Sequence, residues 1–407
     1  IEIKHEVPRN TIIYSSIEEK DNELYLKGSR AIALIEHHKY LNVAQELINE
    51  TTNNIYGPVF SRSDIGKVRL SYSDCGVSID RGNDSLKKIK GHVSNTFNDK
   101  IIHRFGDFAG LINGNNLEND LVLIGSIDGV GTKTSFLPEL LGKDAYEILG
   151  QDIVNHSIND ILVKNAKPLL FMDYVASSSL DPDVLELILK GMSKSCKIHN
   201  CPILGGETAE MPGVYKEGEY DIVGTIVGYA DKNKLIDGKI NVKEGSKIIA
   251  IKSNGPHTNG YSMIRKIFKY NSIETQSKEF IKWLTNPHKS YYSEVNELLS
   301  NNVNIQGLCH VTGGGLIENP PRVIKDDLRI TFELEISKEF KILQELGNIS
   351  NYEMLKTFNC GIGMLVFIDD NDVKKTLEIL NKNEITSYVC GIVSSRKDNT
   401  IPQINFI

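Results

Sequence analysis

Short apolar runs alternate with polar, glycine-rich segments along most of the chain, and this pattern predicts a mixed α and β protein. Buried strands are predicted at residues 121–124, 171–175, 220–228, 247–251 and 365–368. Apolar residues at helical spacing predict helices over residues 145–163, 182–199 and 372–380. This order of elements is typical of an α+β fold with more than one domain.

The first 70 residues lack the acid- and glycine-rich motifs found in the rest of the chain. Two short strands, 11–14 and 23–26, are predicted to be joined by a polar turn at 18–22. A third strand at 31–35 and a helix at 40–52 follow. We therefore expect a small β-β-β-α segment over residues 1–70, followed by two larger domains at 71–240 and 241–407. The chain begins with Ile1, which suggests a processed, trimmed or excised product.

The amino-acid composition argues against nucleic-acid-binding and membrane-spanning proteins. The net charge of −7 and the pI of about 5.9 give no basic face for nucleic acid. No apolar run approaches the ~20 residues that a membrane span needs. The six cysteines form no CxxC pair and no signal peptide precedes them, so we expect reduced thiols in a cytoplasmic protein.

The segment 204–215, LGGETAEMPGVY, combines two glycines with acids and a hydroxyl. Gly205 and Gly206 let a backbone approach a ligand closely, because no Cβ intervenes. Glu207 and Thr208 follow them, and such side chains suit a hydrated divalent cation and its phosphate. The alternative is a tight turn with solvated acids.

A second glycine- and acid-rich segment, SIDGVGTK, follows the predicted strand at 121–124. Asp128 can hold a metal ion, while the amides of Gly129 and Gly131 and the ammonium of Lys133 suit phosphate. Thr132 lies in the same loop. The GxxxxGK[ST] spacing of a Walker A loop is absent.

Polar side chains recur on one face of the predicted helix at 145–163. Asp152, Asn155, His156 and Asn159 are spaced i, i+3, i+4, i+7, and Asp160 follows. Such a stripe is either a solvated face or a wall that faces metal and phosphate.

A third polar loop, SNGPHTNGYS at 253–262, joins a predicted strand to a helix. Its Ser253, Asn254, His257 and Asn259 are candidate ligands for an anion at the helix N-terminus. A Gly-Pro turn with a capping histidine is the alternative. The loop 312–315, which begins with Thr312, is a competing phosphate site with fewer side-chain donors.

Together these motifs resemble one family, aminoimidazole ribonucleotide synthetase, also called phosphoribosylformylglycinamidine cyclo-ligase. The resemblance runs from Tyr72 to the C-terminus. The matching stretches are YSDCGVSIDRGN, SIDGVGTK, NDILVKNAKPLLFMDY, GGETAEMPGVY, SNGPHTNGYS, HVTGGGLIENPPR and NCGIGM. Where the family pattern usually reads GFG, this chain has Gly106-Asp107-Phe108, so the role of that loop is open.

The first 70 residues carry a second resemblance, to the C-terminal end of glycinamide ribonucleotide synthetase, an ATP-grasp enzyme. The matching residues are GSRAIALIEHHKYLNVAQELI and IYGPVFSRSDIG. In many eukaryotes the two enzymes are fused in that order. The resemblance implies the tail of one enzyme followed by the whole of the next, with other purine-pathway enzymes as partners through a fused parent chain. The catalytic body of the ATP-grasp enzyme is missing.

The first resemblance implies a two-domain α+β fold in which the first-domain sheets of two subunits form a barrel across a homodimer. It implies ATP-dependent cyclisation of formylglycinamidine ribonucleotide to 5-aminoimidazole ribonucleotide, with ATP and Mg²⁺. We therefore expect residues of three kinds. The metal ligands are Asp128, Asp152, Asp160 and Glu207. The ATP site holds Gly129, Gly131, Thr132, Lys133, Asn159, Gly205, Gly206 and Thr208. The nucleotide substrate site holds Ser253, Asn254, His257, Asn259 and Thr312. Asp128, Lys133 and His257 are the catalytic candidates.

His257 is either an acid–base group or a phosphate ligand. Two other functional classes stay open at this point. The first alternative to the cyclo-ligase is an inactive scaffold with an orphan N-terminal fragment. The second is a related kinase-like enzyme, resembling selenophosphate synthetase or thiamine-monophosphate kinase. Every acid named above is present, which favours the active enzyme.

Overall fold

The computed structural model describes residues 2–3, 12–28, 30–58, 60–62, 65–66, 110–113 and 120–407, with the exception of 399. The predictions for YSDCGVSIDRGN, for the helix after Asn83 and for the loop at 105–110 lie largely outside these residues. Among the helices in the described part, none has the length and apolar character needed to cross a membrane.

The N-terminal segment consists of short strand pairs and one helix. Its elements are β1 (Glu2–Ile3), β2 (Ile12–Tyr14), β3 (Ile17–Lys20), β4 (Glu23–Leu26), β5 (Ile32–Leu34), α1 (Leu41–Thr52) and β6 (Ile55–Tyr56). The predicted connection between 11–14 and 23–26 is wrong. Strand β4 pairs with β3 through a turn at Asp21 and Asn22, both with positive φ, and β2 pairs with β5.

The first large sheet has five strands in the order β10-β9-β11-β8-β7. They are β7 (Gly110–Asn113), β8 (Leu121–Gly129), β9 (Lys167–Ser177), β10 (Ile203–Glu210) and β11 (Tyr220–Asp231). Three helices belong to the same region: α2 (Lys133–Leu141), α3 (Ala145–Leu162) and α4 (Pro182–Ile198). In the described residues of one chain this sheet is open, so no closed barrel forms within the chain.

The helices cover one face of this sheet. Alternate residues of β8 and β11, among them Ile124 and Ile226, point into the core with α3. Helices α3 and α4 approach very closely, because a Cβ on Gly150 would lie 2.1 Å from the carbonyl oxygen of Ile188. The opposite face is open, and Ile127 is 68% exposed there.

The alternative of a tight turn at Gly205 and Gly206 is wrong. Strand β10 runs through both glycines to Glu210, parallel to β9, and the chain turns only after Met211. A Cβ at Gly206 would lie 2.4 Å from the carboxylate of Asp173, so a side chain at 206 would require Asp173 to move.

The second large sheet has six strands in the order β13-β15-β12-β16-β14-β17. They are β12 (Lys247–Lys252), β13 (Ile305–His310), β14 (Leu328–Phe332), β15 (Ile362–Ile368), β16 (Ser387–Ser395) and β17 (Ile404–Phe406). Strand β15 is buried along its whole length, which explains its continuous apolar sequence.

Eight helices of the described chain surround this sheet. They are α5 (Gly238–Asn241), α6 (Tyr261–Tyr270), α7 (Lys278–Thr285), α8 (Tyr292–Ser300), α9 (Gly315–Glu318), α10 (Lys338–Gly347), α11 (Asn351–Thr357) and α12 (Val373–Lys382). The loops at the ends of β12 and β13, together with the link between α7 and α8, face helix α3 of the first region.

Candidate functional site

The polar stripe on α3 binds the backbone of the link between α7 and α8. Asp152 Oδ1 accepts a hydrogen bond from the backbone N–H of His288 at 2.6 Å. Asn155 Nδ2 donates to the carbonyl of His288 at 2.7 Å, and Asn159 Oδ1 accepts from the N–H of Tyr291 at 2.8 Å. Asp152, Asn155 and Asn159 are therefore engaged between the two regions rather than solvated or directed at a nucleotide.

Lys133 and Asp152 form a fully buried ion pair at the same junction. Lys133 Nζ lies 2.8 Å from Asp152 Oδ2 and also donates to the carbonyl of Asn286 at 2.9 Å. Burial raises the pKa of Asp152 and lowers the pKa of Lys133, because desolvation opposes both charged forms more strongly than their attraction favours them. In this arrangement Lys133 does not face a phosphate and Asp152 is not free to bind a metal ion.

Asp128 and Asp160 approach each other on either side of His156. His156 Nε2 is 2.9 Å from Asp128 Oδ2 and 3.6 Å from Asp160 Oδ2. Ser126 donates to Asp160 Oδ2 at 3.0 Å. Side chains at 126 and 128 point toward α3 because they alternate with Ile127 along β8. Two of the four predicted metal ligands are therefore brought together.

Asp128, Asp160 and His156 shift one another's pKa values. Burial lowers the pKa of His156, but the carboxylates of Asp128 and Asp160 outweigh burial and raise it to about 9. Burial raises the pKa of Asp128, but His156 and the N–H of Gly129 bring it below its ordinary value. At neutral pH the cluster thus holds an imidazolium between two carboxylates.

Glu207 lies on the other face of the sheet. Residues Asp128, Gly224, Asp173 and Gly206 form one row across β8, β11, β9 and β10. Glu207 is one residue further along β10, so its side chain points to the opposite face from Asp128. Within one chain, the predicted grouping of Glu207 with the other acids is therefore not observed. Gly205 shares the outward face, and Thr208 pairs with Val175 of β9.

Polar groups of the loop after β8 form hydrogen bonds within the protein. The N–H of Gly129 donates to its own neighbour, Asp128 Oδ1, at 2.6 Å, so it is not free for phosphate. Gly131 has a positive φ of 70° at the entry to α2. Thr132 Oγ1 lies 3.0 Å from Ser262 Oγ and so joins this loop to the loop at 253–262.

Four buried histidines occupy the junction, and three of them, His156, His288 and His310, were not among the predicted site residues. His288 Nε2 lies 3.0 Å from His310 Nε2, and His310 Nδ1 lies 2.9 Å from Asp160 Oδ1. Thr258 Oγ1 lies 2.9 Å from His156 Nδ1. The ring of His257 stacks on that of His288 at a centroid distance of 4.0 Å.

Three of these histidines are neutral. Burial lowers the pKa of His257 and His288 well below the ordinary value, and it also lowers the pKa of His310. His310 was visible in the sequence as the first residue of HVTGGG, but His288 sits in an unremarkable polar link. Only its folded neighbours identify it.

The predicted substrate loop is buried beside this cluster. His257 is 1% exposed, and its φ of 65° is unusual for a residue other than glycine. Ser253 donates to Asn359 Oδ1 at 3.0 Å and Asn254 Nδ2 donates to the carbonyl of Pro287 at 2.9 Å. Both side chains are thus held by the protein.

The two loops that competed in the sequence as phosphate sites are neighbours. A Cβ on Gly313 would lie 3.4 Å from Asn259 Nδ2. The N–H and the hydroxyl of Thr312 both donate to Asn319 Oδ1, at 2.7 and 3.1 Å. The side chain of Asn319 therefore closes the 312–315 loop internally.

The donor set at Asp128 and Asp160 fits Mg²⁺. Carboxylate oxygens are the ligands that this ion prefers, and the side chain of Asp128 is 45% exposed. His156 already interacts with both carboxylates, so a divalent cation would compete with the imidazolium for them. Asp152 does not fit, because Lys133 and the N–H of His288 occupy its oxygens.

Comparisons with known proteins agree with this architecture. Residues 106–230 match the model for the AIR synthase related protein, N-terminal domain, and residues 243–402 match the corresponding C-terminal domain. The phosphoribosylformylglycinamidine cyclo-ligase of Finegoldia magna is 39% identical over 83% of this chain and 99% of its own length. That of Thermoanaerobacter pseudethanolicus is 40% identical over 82% of this chain and 100% of its own length.

Solved structures share the fold at low identity. A chain of the HypE-HypF complex has a TM-score of 0.57 at 19% identity and covers 78% of this chain and 96% of its own. Thiamine monophosphate kinase of Aquifex aeolicus has a TM-score of 0.53 at 14% identity, over 81% of this chain and 98% of its own. The sequence matches carry the closer assignment, and the chain belongs to the phosphoribosylformylglycinamidine cyclo-ligase (AIR synthase) family.

Proposed function

We propose that this chain converts formylglycinamidine ribonucleotide to 5-aminoimidazole ribonucleotide in purine biosynthesis, with release of ADP and phosphate. The observation that carries the proposal is the match to cyclo-ligases over almost their entire length. ATP as the co-substrate is supported by a solved relative of the same fold that was complexed with AMPPCP.

The chemistry requires activation of a poor leaving group. The γ-phosphoryl group of ATP passes to the formyl oxygen and ADP leaves. A nitrogen of the amidine then attacks the formyl carbon, the C–O bond breaks, phosphate departs and the imidazole closes. In such transfers the protein acts mainly by positioning and charge stabilisation.

Asp128 and Asp160 are the residues that would hold Mg²⁺ on the ATP phosphates. The bound ion would neutralise charge on the transferring phosphoryl group. The loop at 129–132 begins beside Asp128 and ends at Thr132, which contacts Ser262 of α6. The loop therefore lies next to both the first sheet and the C-terminal region. In the described structure Lys133 and Asp152 form no hydrogen bond or ion pair with Asp128 or Asp160. They fix the positions of α2 and α3 by binding the backbone of the link at 286–291.

We also propose a homodimer formed through the open face of the first sheet. Ile127 and Met172 lie in one row on that face, on either side of Thr225, and are 68% and 36% exposed. An apolar sheet face of this kind is typical of an interaction surface. Across such a dimer the first-domain sheets would form a barrel, and Glu207 would face the partner subunit.

The N-terminal segment resembles the end of glycinamide ribonucleotide synthetase, and we propose that it contributes no catalysis here. In the described residues Asn42 Oδ1 accepts from the N–H of Ser272 at 3.3 Å. A cavity of about 490 Å³ lies between α1, α10 and the end of α6. A fused parent chain would bring other purine-pathway enzymes as partners.

The test is phosphate release by the purified full-length chain with ATP and Mg²⁺. We expect release that depends on formylglycinamidine ribonucleotide, with no comparable release when selenide or thiamine monophosphate replaces it. Release with one of these two acceptors instead would assign a kinase-like activity. No release with any acceptor would favour a scaffold.

A further inference from the structure

In the loop at 253–259, Ser253 and Asn254 donate hydrogen bonds to the protein, while three side-chain acceptor atoms have no partner in the described structure. Ser253 Oγ donates to Asn359 Oδ1 and Asn254 Nδ2 donates to the carbonyl of Pro287. Asn254 Oδ1, His257 Nδ1 and Asn259 Oδ1 are buried and have no hydrogen-bond partner in the described structure. Buried polar atoms are normally satisfied, so these three acceptors require hydrogen-bond donors that the described protein does not supply.

The contacts of Asn254 show that its side-chain oxygen, and not its nitrogen, lacks a hydrogen-bond partner in the described structure. The carbonyl of Pro287 can only accept, so the side-chain nitrogen of Asn254 faces it and the oxygen is left over. The free atom is thus an acceptor. Asn254 is held from a second side, because Asn286 Nδ2 donates to its backbone carbonyl at 2.8 Å.

His257 offers an acceptor by similar reasoning. The hydroxyl of Tyr291 donates to the carbonyl of Lys252 at 3.2 Å and lies 3.4 Å from His257 Nε2. A hydroxyl that donates elsewhere can accept from Nε2–H, which assigns the proton of the neutral ring to Nε2 and leaves Nδ1 as an acceptor. Burial lowers the pKa of His257, so the ring carries no charge to attract an anion.

The loop lies beside the acid cluster where phosphoryl transfer is proposed. The ring of His257 stacks on His288, His288 contacts His310, and His310 is hydrogen-bonded to Asp160. The formyl oxygen has to reach the γ-phosphoryl group near these acids. The end of the substrate that lies beside the loop is therefore the reacting end.

We propose that the loop at 253–259 binds the N–H groups of the formylglycinamidine end of the substrate, and not its 5'-phosphate. The inference rests on the proposed function, which defines the substrate. A phosphate dianion presents only acceptors and would set its oxygens against the acceptors Asn254 Oδ1, His257 Nδ1 and Asn259 Oδ1. Amide and amidine groups present N–H donors that satisfy all three. This assignment replaces the phosphate role that the sequence predicts for the loop.

The experiment compares two substitutions at Asn259 that differ in acceptor and charge. Asn259→Leu removes the acceptor, whereas Asn259→Asp keeps one and adds negative charge. Binding of formylglycinamidine ribonucleotide without ATP, and of ribose 5-phosphate, is measured with the full-length chain by calorimetry. Asn383→Asp, at an exposed helix end, is the matched control for added charge.

We expect Asn259→Leu to weaken binding of the ribonucleotide roughly tenfold or more, the effect of about 1.4 kcal/mol. Asn259→Asp should bind it within about threefold of the unsubstituted chain or more tightly, because carboxylates accept from N–H groups more strongly than amides do. Ribose 5-phosphate should bind equally to all forms, which also shows that the variants are folded.

The opposite result for Asn259→Asp overturns the inference. If the added charge weakens binding of both probes in parallel while Asn383→Asp does not, the loop binds the phosphate. A failure of the proposed function looks different, because the unsubstituted chain would then release no phosphate with formylglycinamidine ribonucleotide and ATP.

Discussion

The ammonium of Lys133 lies 2.8 Å from the carboxylate of Asp152, and both side chains are fully buried where α2 and α3 meet the link at 286–291. The pair connects the two sheets rather than binding a ligand. A buried ion pair adds little net stability, but loss of one partner leaves an uncompensated charge in the interior. This relationship changes what substitutions at these residues should do.

Lys133→Met should destabilise the protein by about 3–5 kcal/mol, because Asp152 would be left buried without its counter-charge. The double variant Lys133→Met, Asp152→Leu should recover much of that loss. Urea unfolding measures both. Lys143→Met, which breaks an exposed pair with Asp181, is the control and should cost less than about 1 kcal/mol. An unfolding midpoint for Lys133→Met equal to that of the unsubstituted protein would contradict the prediction.

Asp128→Asn should reduce ATP turnover by about 10²–10³-fold, as expected for the loss of one transition-state stabiliser. Asp128 is also a partner of the buried His156 imidazolium, so we expect a lower unfolding midpoint, and turnover is compared at a temperature where both forms are folded. Asp183→Asn, on an exposed carboxylate of α4, is the matched control. Near-normal turnover of Asp128→Asn at saturating Mg²⁺ would remove Asp128 from the proposed site.

Gly363→Ala should disturb both packing and activity. A Cβ at this position would lie 1.8 Å from Tyr291 Oη and 2.7 Å from His257 Cε1, so the tyrosine and the histidine would have to move. We expect a loss of about 1–3 kcal/mol in unfolding free energy together with a lower kcat. Gly125→Ala, whose Cβ would lie 3.8 Å from its nearest neighbour, should leave stability nearly unchanged. Equal stability of the two variants would show that β15 and Tyr291 are not tightly packed.

Deletion of residues 1–67 should leave the cyclo-ligase rate within a few fold. None of the residues assigned to the proposed site lies in this segment, so its removal leaves those residues in place. Steady-state phosphate release measures the rate, and circular dichroism checks the fold. Complete loss of activity in a folded deletion variant would assign the segment a catalytic or site-covering role.

Ile127→Glu should convert the proposed homodimer to monomers, because it places a charge in the centre of the open sheet face. Analytical ultracentrifugation measures the change. Ile198→Glu, at an exposed position at the end of α4, should leave the oligomeric state unchanged. A dimer that persists in Ile127→Glu with the same association constant would exclude this face.

The spacing of apolar residues predicted five of the eleven strands described in the two large sheets and three of the eleven helices described in the same regions. Strand β15 and helix α3 appear where the pattern predicts them, because burial on one or both sides forces the periodicity. The same pattern predicted a strand at 121–124 with Asp128 in the segment after it, whereas β8 continues to Gly129 and includes Asp128. Local sequence thus determined these elements and the motif that identifies the family.

Tertiary structure decided what each polar residue does. Helical spacing showed that Asp152 and Asn159 share a face, but not that a backbone segment of the other region lies across it. Strand alternation placed Glu207 and Asp128 on opposite faces only once the register of β10 was known. His288 became part of the site through stacking on His257 and contact with His310, neither of which is near it in sequence. Such partners are set by long-range packing, and no local pattern encodes them.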